Sequence, residues 1–288
     1  DPIFMDSDNF YNIDVEKTIT FIDNETFYKN GNSYNKKTKK RISAIIPVHV
    51  WGNACSLENL VEKCKERNIK IVEDASESLG TFYNSGKYKG MHTGTIGEFG
   101  CISFNGNKII TTGGGGVILT NNDKLAEKAK YLTTQAKDDP IYYLHNEIGF
   151  NFRLTNIQAA LGVAQLENLL VFLNRKKYIY QQYKNKINKI NGLVLSEVPK
   201  YAENNYWINL LKINTKVYSN SRDSIFKLME RNFIQTRPVW MLNHMQKPYI
   251  KCQKYKISKA KELVDNSLCL PSSIKLEDTD ISSVVSIL

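Results

Sequence analysis

The sequence predicts an α/β protein in which a large domain, built on a mixed and mostly parallel sheet, is followed by a smaller α+β domain. In the first half of the 288-residue chain, short apolar runs alternate with amphipathic stretches, as strands and helices alternate in an α/β sheet. A long helical pattern begins at Thr155 and leads into a region that mixes strands and helices. We place the boundary within that pattern, giving a large domain of residues 1–185 and a small domain of residues 186–288.

Each element of the first domain follows from a local pattern. The apolar run Ile42–Val50 predicts a buried strand, and the periodicity of Leu57–Arg67 predicts a helix with Ser56 as its N-cap. Three further strands are predicted at Ile69–Glu73, Phe99–Phe104 and Val117–Thr120. The last two are separated by a loop that contains four consecutive glycines, Gly113–Gly116.

The helical pattern after Thr155 rests on apolar residues at helical spacing, namely Ile157, Ala160, Leu161 and Ala164. After a break, the pattern resumes at Lys176–Ile190. Beyond it, we predict a strand at Tyr206–Ile213 and helices at Ser224–Arg231 and Ser258–Asp265. The long helix would therefore connect the two domains.

Composition favours a cytoplasmic protein with reduced thiols. The five cysteines are scattered without a CxxC pair, which argues against disulfides and a zinc site, so we predict no bound metal. No run of about 18 apolar residues and no signal-peptide pattern are present, so no membrane association is expected. The net charge of +10 includes the basic run Lys36–Arg41, which we interpret as a solvated loop because no nucleic-acid motif accompanies it. The charge only weakly favours an anionic substrate.

Three features of the first domain could carry chemistry. Asp74 ends a predicted strand, and ligands of open α/β sheets bind at the carboxyl ends of strands. Ser103 ends another, and Lys108 follows it in a loop before the glycine run, whose backbone could approach a ligand closely. The lysine precedes the glycines, so the segment is neither a Walker loop nor a dinucleotide motif. Taken singly, Asp74 could cap a following helix, and a lone loop lysine is usually solvated.

Together, these residues match what pyridoxal phosphate requires. The coenzyme needs a lysine amine for a Schiff base and for moving a proton between carbons. It needs a carboxylate beside its pyridine nitrogen, so that the protonated ring acts as an electron sink. Hydroxyl and backbone N–H groups must surround its phosphate. We therefore predict a pyridoxal phosphate site at Lys108.

The chain resembles the DegT/DnrJ/StrS family of sugar aminotransferases, which are pyridoxal phosphate enzymes of fold type I. The landmarks of the resemblance occur in order at Ile46–Gly52, Glu73–Gly80, Ser103–Lys108, Gly149–Gly162 and Leu270–Ser273. Within the family, SFNGNKIITTGGGG and Thr236–Trp240 are most similar to the LegC-like branch. Members of that branch aminate C4 of nucleotide-linked 4-keto-6-deoxy sugars on routes to surface glycans.

The resemblance implies a role for each of five residues. Lys108 would form the Schiff base, Asp74 would pair with the pyridinium nitrogen, and Ser103 would bind the phosphate. Glu77 occupies the position of a glutamine that contacts the ring hydroxyl in many relatives. A carboxylate there would have to be hydrogen-bonded or protonated. Asn151 would reach the phosphate from the neighbouring subunit, which implies a homodimer.

Other residues carry weaker expectations. Arg153 would hold a carboxylate of the amino donor by bidentate pairing, and Arg237 would approach the substrate. His49 and Trp51 follow a strand end and fit either packing or site roles. Two further tryptophans, Trp207 and Trp240, are interpreted as packing residues of the small domain.

The function implied by the resemblance is transfer of an amino group, from glutamate, to C4 of a nucleotide-linked 4-keto-6-deoxy sugar. One alternative is a pyridoxamine-dependent sugar dehydratase of the same fold. Relatives with that activity have histidine in place of the lysine, so Lys108 argues against it. The other is a non-catalytic homologue that binds sugar nucleotides or regulates. The segment Asp1–Asp6 resembles an internal strand, so an N-terminal segment with a phosphate-binding turn and part of the dimer interface is expected to precede it.

Overall fold

The computed structural model describes residues 1–288 and contains eight α-helices. In chain order they are α1 (Val15–Glu25), α2 (Glu58–Glu66), α3 (Asp123–Thr133), α4 (Asn156–Glu167), α5 (Leu169–Ile187), α6 (Arg222–Arg231), α7 (Lys259–Asp265) and α8 (Asp278–Ser286). Two predicted helix starts have different outcomes. The helical pattern predicted from Thr155 is confirmed, and Thr155 itself caps α4 in a capping box with Gln158. The prediction of Ser56 as the cap of α2 is wrong, because the buried Leu57 occupies the cap position and makes no side-chain cap bond.

Fifteen short strands form five sheets. They are β1 (Ile3–Phe4), β2 (Thr26–Lys29), β3 (Asn32–Asn35), β4 (Arg41–Ile42), β5 (Ala44–Ile45), β6 (Lys70–Asp74), β7 (Phe82–Tyr83), β8 (Phe99–Ser103), β9 (Gly116–Leu119), β10 (Leu193–Leu195), β11 (Ala202–Glu203), β12 (Asn209–Ile213), β13 (Arg237–Pro238), β14 (Gln253–Lys254) and β15 (Ser267–Leu270). The two four-stranded sheets organise the molecule.

The first of these sheets has the order β5-β6-β8-β9, with β5, β6 and β8 parallel and β9 antiparallel. This confirms the predicted α/β class with a mostly parallel sheet. The predicted strand Ile42–Val50 is interrupted, however, and Ile46 is 61% exposed. Pro47 has no N–H to donate to a neighbouring strand, so the ladder breaks there and resumes as a single bridge between Val48 and Asp74.

The second four-stranded sheet, β10-β12-β15-β13, is wholly antiparallel. Its core packs inward-facing strand residues such as Leu211 against Ile179 and Tyr183 of α5, Met229 of α6 and Ile281 of α8. Burial of these apolar faces is the main stabilisation of this region. The predicted boundary near residue 185 falls in the last turn of α5 and stays a prediction. Two strand pairs, β1–β14 and β7–β11, also join the N-terminal and C-terminal regions.

Helix α4 contributes little to either core. Gly162 is its only buried residue, whereas Ile157 is 85% exposed and Leu161 44% exposed. The apolar face predicted from the sequence therefore lies at the surface of the chain. No single helix is long and apolar enough to cross a membrane, and only α4 and α5 taken as a pair, with a 58° bend between them, meet that length and composition.

Candidate active site around Lys108

The candidate site lies at the carboxyl edge of the parallel sheet. Asp74 ends β6 and Ser103 ends β8, and the two strands are neighbours, so their last residues share one edge. Lys108 follows β8 and closes a pocket over the turn after β6. The pocket is lined by Ser76, Glu77, Leu79, Ser103, Lys108, Ile109 and Ile110. The structure thus brings four sequence-predicted site residues together, namely Asp74, Glu77, Ser103 and Lys108.

The amine of Lys108 is largely withdrawn from solvent. Its side chain is 14% exposed, and Nζ lies 4.0 Å from Oε1 of Glu77 and 4.2 Å from the centre of the Trp207 ring. Burial lowers the pKa of Lys108, although the carboxylates of Glu77 and Asp74 oppose this shift. A desolvated amine with a lowered pKa is a better nucleophile at neutral pH.

The sequence analysis required a carboxylate at position 77 to be hydrogen-bonded or protonated, and the surroundings of Glu77 favour both. Its Oε2 accepts a hydrogen bond of 2.7 Å from the backbone N–H of Trp51. Burial raises the pKa of Glu77 to about 7, with the Trp51 hydrogen bond and the Lys108 charge opposing. Trp51 donates from a left-handed backbone conformation, φ 59°, which is unusual for a bulky residue and aims its N–H at the site.

Asp74 orders the turn that carries Glu77. Its Oδ1 accepts hydrogen bonds from the backbone N–H of Ser76, at 3.0 Å, and from the Ser76 hydroxyl. No helix begins directly after Asp74, so the alternative that Asp74 caps a helix is wrong. Its Oδ2 accepts no hydrogen bond within the chain and remains available to a ligand.

The glycine run has a structural role. Gly113–Gly116 closes the loop between β8 and β9, with φ values of 78° at Gly113 and 82° at Gly115. These values favour glycine, and a Cβ at Gly115 would also come within 2.8 Å of Leu154 Cδ1. None of the four glycines lines the pocket. The expected close approach of this backbone to a ligand stays a prediction.

Three predicted residues lie elsewhere in the chain. Asn151 and Arg153 are exposed, and neither forms a side-chain hydrogen bond or ion pair with the residues around Lys108. Asn151 forms an isolated bridge with Thr134. Arg237 is exposed on β13, and its guanidinium donates to the carbonyl of Thr236. Within one chain, these residues are separate from the Lys108 pocket.

Three tryptophans meet beside the pocket, which the sequence interpretation missed. The ring of Trp51 lies 6.0 Å from that of Trp207 and 4.5 Å from that of Trp240, centre to centre. Trp207 is 2% exposed, and it also contacts Lys108. The interpretation of Trp207 as a packing residue of the small domain alone is therefore wrong. No local motif marks it, because its position at the site depends on how the C-terminal region docks on the first sheet.

His49 supports the strands that carry the site. Its Nε2 lies 2.9 Å from Oε2 of Glu73, and its Nδ1 accepts a hydrogen bond from the backbone N–H of Cys55. Both side chains are fully buried. Although burial opposes ionisation, bonds from His49 and from the backbone of Gly97 and Gly94 keep the pKa of Glu73 below its usual value. Both ring nitrogens are occupied, so His49 has a structural role.

Comparisons with known proteins agree with this geometry. The profile of the DegT/DnrJ/EryC1/StrS aminotransferase family matches residues 1–288. The chain is 36% identical over 251 residues to the "putative pyridoxal phosphate-dependent aminotransferase EpsN" of Bacillus subtilis (strain 168), which covers 85% of this chain and 62% of that protein. It is 34% identical over 281 residues to "GDP-perosamine synthase" of Escherichia coli O157:H7, covering 97% and 70%. The chain thus spans between about three-fifths and seven-tenths of the length of these relatives.

Solved structures establish the fold independently of close sequence similarity. An aminotransferase of this family from Brucella abortus superposes with a TM-score of 0.86 at 22% identity, covering 100% of this chain and 72% of that one. Helicobacter pylori PseC, an aminotransferase involved in pseudaminic acid biosynthesis, superposes with a TM-score of 0.85 at 21% identity, covering 100% and 72%. The fold, the match along the whole chain and the relatives together show that the chain belongs to the DegT/DnrJ/EryC1/StrS aminotransferase family.

Proposed function

We propose that this chain transfers an amino group, from glutamate, to C4 of a nucleotide-linked 4-keto-6-deoxy sugar, with pyridoxal phosphate held at Lys108. The observation that carries the proposal is the buried amine of Lys108 between Glu77 and the ends of β6 and β8. A nucleophilic amine, one carboxylate and serine hydroxyls line the pocket, and the Asp74 carboxylate lies beside it, bonded to Ser76. This set of groups fits the aldehyde, ring and phosphate of the coenzyme. The pocket is closed in the single chain, so binding of the coenzyme would require the side chains that line it to move apart.

The names of relatives support the substrate class. One relative is "GDP-perosamine synthase" of Caulobacter vibrioides, 32% identical over 274 residues. Another is "dTDP-4-amino-4,6-dideoxy-D-glucose transaminase" of Shigella dysenteriae, 26% identical over 247 residues. The second name describes a 4-amino-4,6-dideoxy sugar on a nucleotide carrier. Assignment to the LegC-like branch stays a prediction, and so does the choice of UDP, GDP or dTDP.

When bound, the coenzyme supplies an electron sink that stabilises negative charge on the carbon that loses a proton. Lys108 Nζ would hold that proton and deliver it to the neighbouring carbon, because it is the one amine in the pocket. The free Oδ2 of Asp74 would bind the protonated ring nitrogen. Ser103, at the end of β8, would bind the phosphate. Glu77 would donate to the ring oxygen when protonated, as its pKa of about 7 allows.

Absorption spectroscopy with added pyridoxal phosphate tests the coenzyme assignment. We expect a visible absorption band that glutamate bleaches, and borohydride reduction should attach the coenzyme to the peptide that contains Lys108. Lys108→Ala should abolish both results. Lys177→Ala is the matched control, because Lys177 forms an exposed ion pair with Glu203, and it should behave as the parent. A protein that stays colourless and unlabelled would contradict the proposal.

The two alternatives differ in their products. A dehydratase would convert the keto sugar without incorporating nitrogen, whereas the proposed reaction moves 15N from labelled glutamate into the sugar. A non-catalytic homologue would bind sugar nucleotide without turnover. Mass spectrometry of the nucleotide-sugar product, with UDP-, GDP- and dTDP-linked 4-keto-6-deoxy sugars in parallel, separates the three cases and identifies the carrier.

We also propose that the active form is a homodimer. The segment from Ile141 to Val171 exposes many large apolar side chains, among them Ile148 at 86% and Phe152 at 70%. A concentration of exposed apolar side chains in one segment is typical of an interaction site. Asn151 and Arg153 lie in the same segment, which fits residues that a second copy would contribute to the pocket. The molar mass by light scattering tests this proposal, and a monomer at micromolar concentration would contradict it.

A further inference from the structure

Trp207 contacts both the backbone before Lys108 and the Lys108 amine. Its indole Nε1–H donates a hydrogen bond of 2.7 Å to the carbonyl of Asn107, the residue that precedes the lysine. The face of the ring lies under Nζ, 4.2 Å from the ring centre. A cation above an indole face is attracted by the ring's quadrupole. One side chain from the C-terminal region thus fixes the path of the loop and offers a surface to the ammonium group.

The segment that carries Trp207 is fixed to the turn below the pocket. Asn205 Nδ2 donates to the carbonyls of Glu77 and Leu79, at 2.8 Å and 2.9 Å. Asn205 Oδ1 accepts the backbone N–H of Trp207 at 3.0 Å. The tryptophan is therefore positioned relative to the same turn that carries Glu77.

A second buried lysine, Lys176, contacts the backbone of Trp207. Lys176, on α5, is 8% exposed and has no carboxylate partner. Its ammonium group donates to the carbonyl of Trp207 at 2.9 Å and to the carbonyl of Ser272. Burial lowers its pKa to about 8. Burying an ammonium group without a counter-charge is costly, so the bonds to these two carbonyl groups are what satisfy it.

We propose that Trp207, anchored by Lys176, is a positioning residue that holds the amine of Lys108 over its ring and beside Glu77. The catalytic meaning of this inference rests on the proposed function, because the lysine must carry a proton at a defined place. The positioning itself does not depend on the coenzyme. It also links the connecting helix α5 and the C-terminal region to the reactive lysine.

The titration of Lys108 in the coenzyme-free full chain tests the inference. Competitive acetylation with acetic anhydride across pH, read by peptide mass spectrometry, gives the pKa of this amine, which Glu77, Asp74 and Trp207 face. In Trp207→Leu the loss of the cation–π contact should lower the pKa by about 0.5 to 1. Acetylation of Lys108 at neutral pH should then rise roughly three- to tenfold. The midpoint of the titration, unlike the rate, is independent of improved access.

Further variants keep the test decisive if Trp207→Leu does not fold. Trp207→Phe keeps a ring under the amine and should leave the midpoint near that of the parent. Lys176→Met should shift the midpoint in the same direction as Trp207→Leu, because Trp207 loses its anchor. Lys177→Met, which alters the exposed neighbour on the same helix, should shift nothing. A parental midpoint in Lys176→Met and in any folded Trp207→Leu overturns the inference, as does an equal shift in Lys177→Met.

A kinetic measurement separates this inference from the proposed function. In the coenzyme-loaded protein, Lys176→Met should lower kcat roughly tenfold and leave the KM for glutamate within about twofold, because proton delivery is affected more than donor binding. A shifted titration in a protein that forms no coenzyme band would uphold the positioning role and reject the proposed function. An unshifted titration in an active enzyme would do the opposite.

Discussion

The Lys108 pocket and the segment from Ile141 to Val171 are built in opposite ways. In the pocket, Glu77 is buried and hydrogen-bonded, and the pKa values of Glu77 and Lys108 are shifted by burial. In the segment, apolar side chains such as Ile148 and Ile157 face solvent, and Asn151 has no partner near the pocket. The two regions fit the proposal that a second copy covers the exposed segment and brings Asn151 to the pocket.

The largest effect is expected when the two halves are separated. Lys108→Ala should lower amination at least about 10³-fold, and Asn151→Ala about 10- to 100-fold, since it removes a hydrogen bond to a charged phosphate. Co-expressed with different tags and purified through both, these two variants should form a hybrid dimer with one intact site. The hybrid should have about half the parent's activity per dimer.

The matched control contains the same substitutions in another arrangement. A hybrid of the parent chain with the doubly substituted Lys108→Ala, Asn151→Ala chain has no site that combines both residues. It should retain only the activity of an Asn151→Ala site. Equal activity in the two hybrids would show that Asn151 has no role, and higher activity in the control hybrid would show that Asn151 acts within its own chain.

A charge on the exposed face should weaken association next most strongly. In Ile157→Asp, a carboxylate replaces a side chain that is 85% exposed in the single chain. If a second copy covers it, burial of an unpaired carboxylate should raise the dimer dissociation constant at least about 100-fold. Analytical ultracentrifugation measures the constant. Phe233→Asp is the control, because Phe233 is 98% exposed and lies outside the segment; a similar loss in that variant would refute a specific interface.

The residues of the pocket could be predicted from the sequence better than the residues that surround them. Asp74, Ser103 and Lys108 could be identified because strand ends and their order along the chain are local features, and parallel strands bring their carboxyl ends to one edge. The contact of Trp207 with Lys108 could not be predicted, since the two residues are 99 positions apart. It depends on how the C-terminal region docks on the first sheet. The same holds for the burial of Lys176, which a helical pattern alone does not distinguish from its exposed neighbour Lys177.

Local errors have equally physical causes. The strand at Ile42–Val50 was predicted from apolar character, but Pro47 interrupts the ladder and leaves Ile46 exposed. The glycine run has positive φ angles at Gly113 and Gly115 that serve the connection from β8 to β9, and its approach to a ligand stays a prediction. Composition identifies where a chain must turn, and only the three-dimensional arrangement tells what the turn faces.

The pH dependence of stability should sharpen the contrast between the buried site and the surface. Because burial raises the pKa of Glu77 from its usual 4.5 to about 7 in the folded chain, the unfolded chain binds fewer protons between these values. The free energy of unfolding should therefore fall as pH rises from about 4.5 to 7, by at most about 3 kcal/mol. Glu77→Gln should remove this term, and the variant should be more stable than the parent at pH 8 but not at pH 4.5.

Urea denaturation of the coenzyme-free chain at several pH values measures this difference. Glu66→Gln is the matched control, because Glu66 is 63% exposed in a surface ion pair with Lys63 and should change stability by less than about 1 kcal/mol at any pH. If Glu77→Gln and the parent show parallel pH profiles, the carboxyl is ionised in the folded chain at neutral pH. Its proposed donation to the ring oxygen would then fail as well.

The smallest effect is expected at two helix starts, that of α4 in the exposed segment and that of α2 outside it. Thr155 caps α4 in the exposed segment, accepting from the N–H of Gln158 while Gln158 Oε1 accepts from the N–H of Thr155. Thr155→Ala should cost about 1 kcal/mol. Ser56→Ala should cost under about 0.5 kcal/mol, since Ser56 makes no cap bond to α2. Thermal melts at low and high protein concentration measure both stability changes.

Because α4 lies in the proposed interface, Thr155→Ala should also raise the dimer dissociation constant, whereas Ser56→Ala should leave it unchanged. Equal dissociation constants in both variants would place α4 outside the interface.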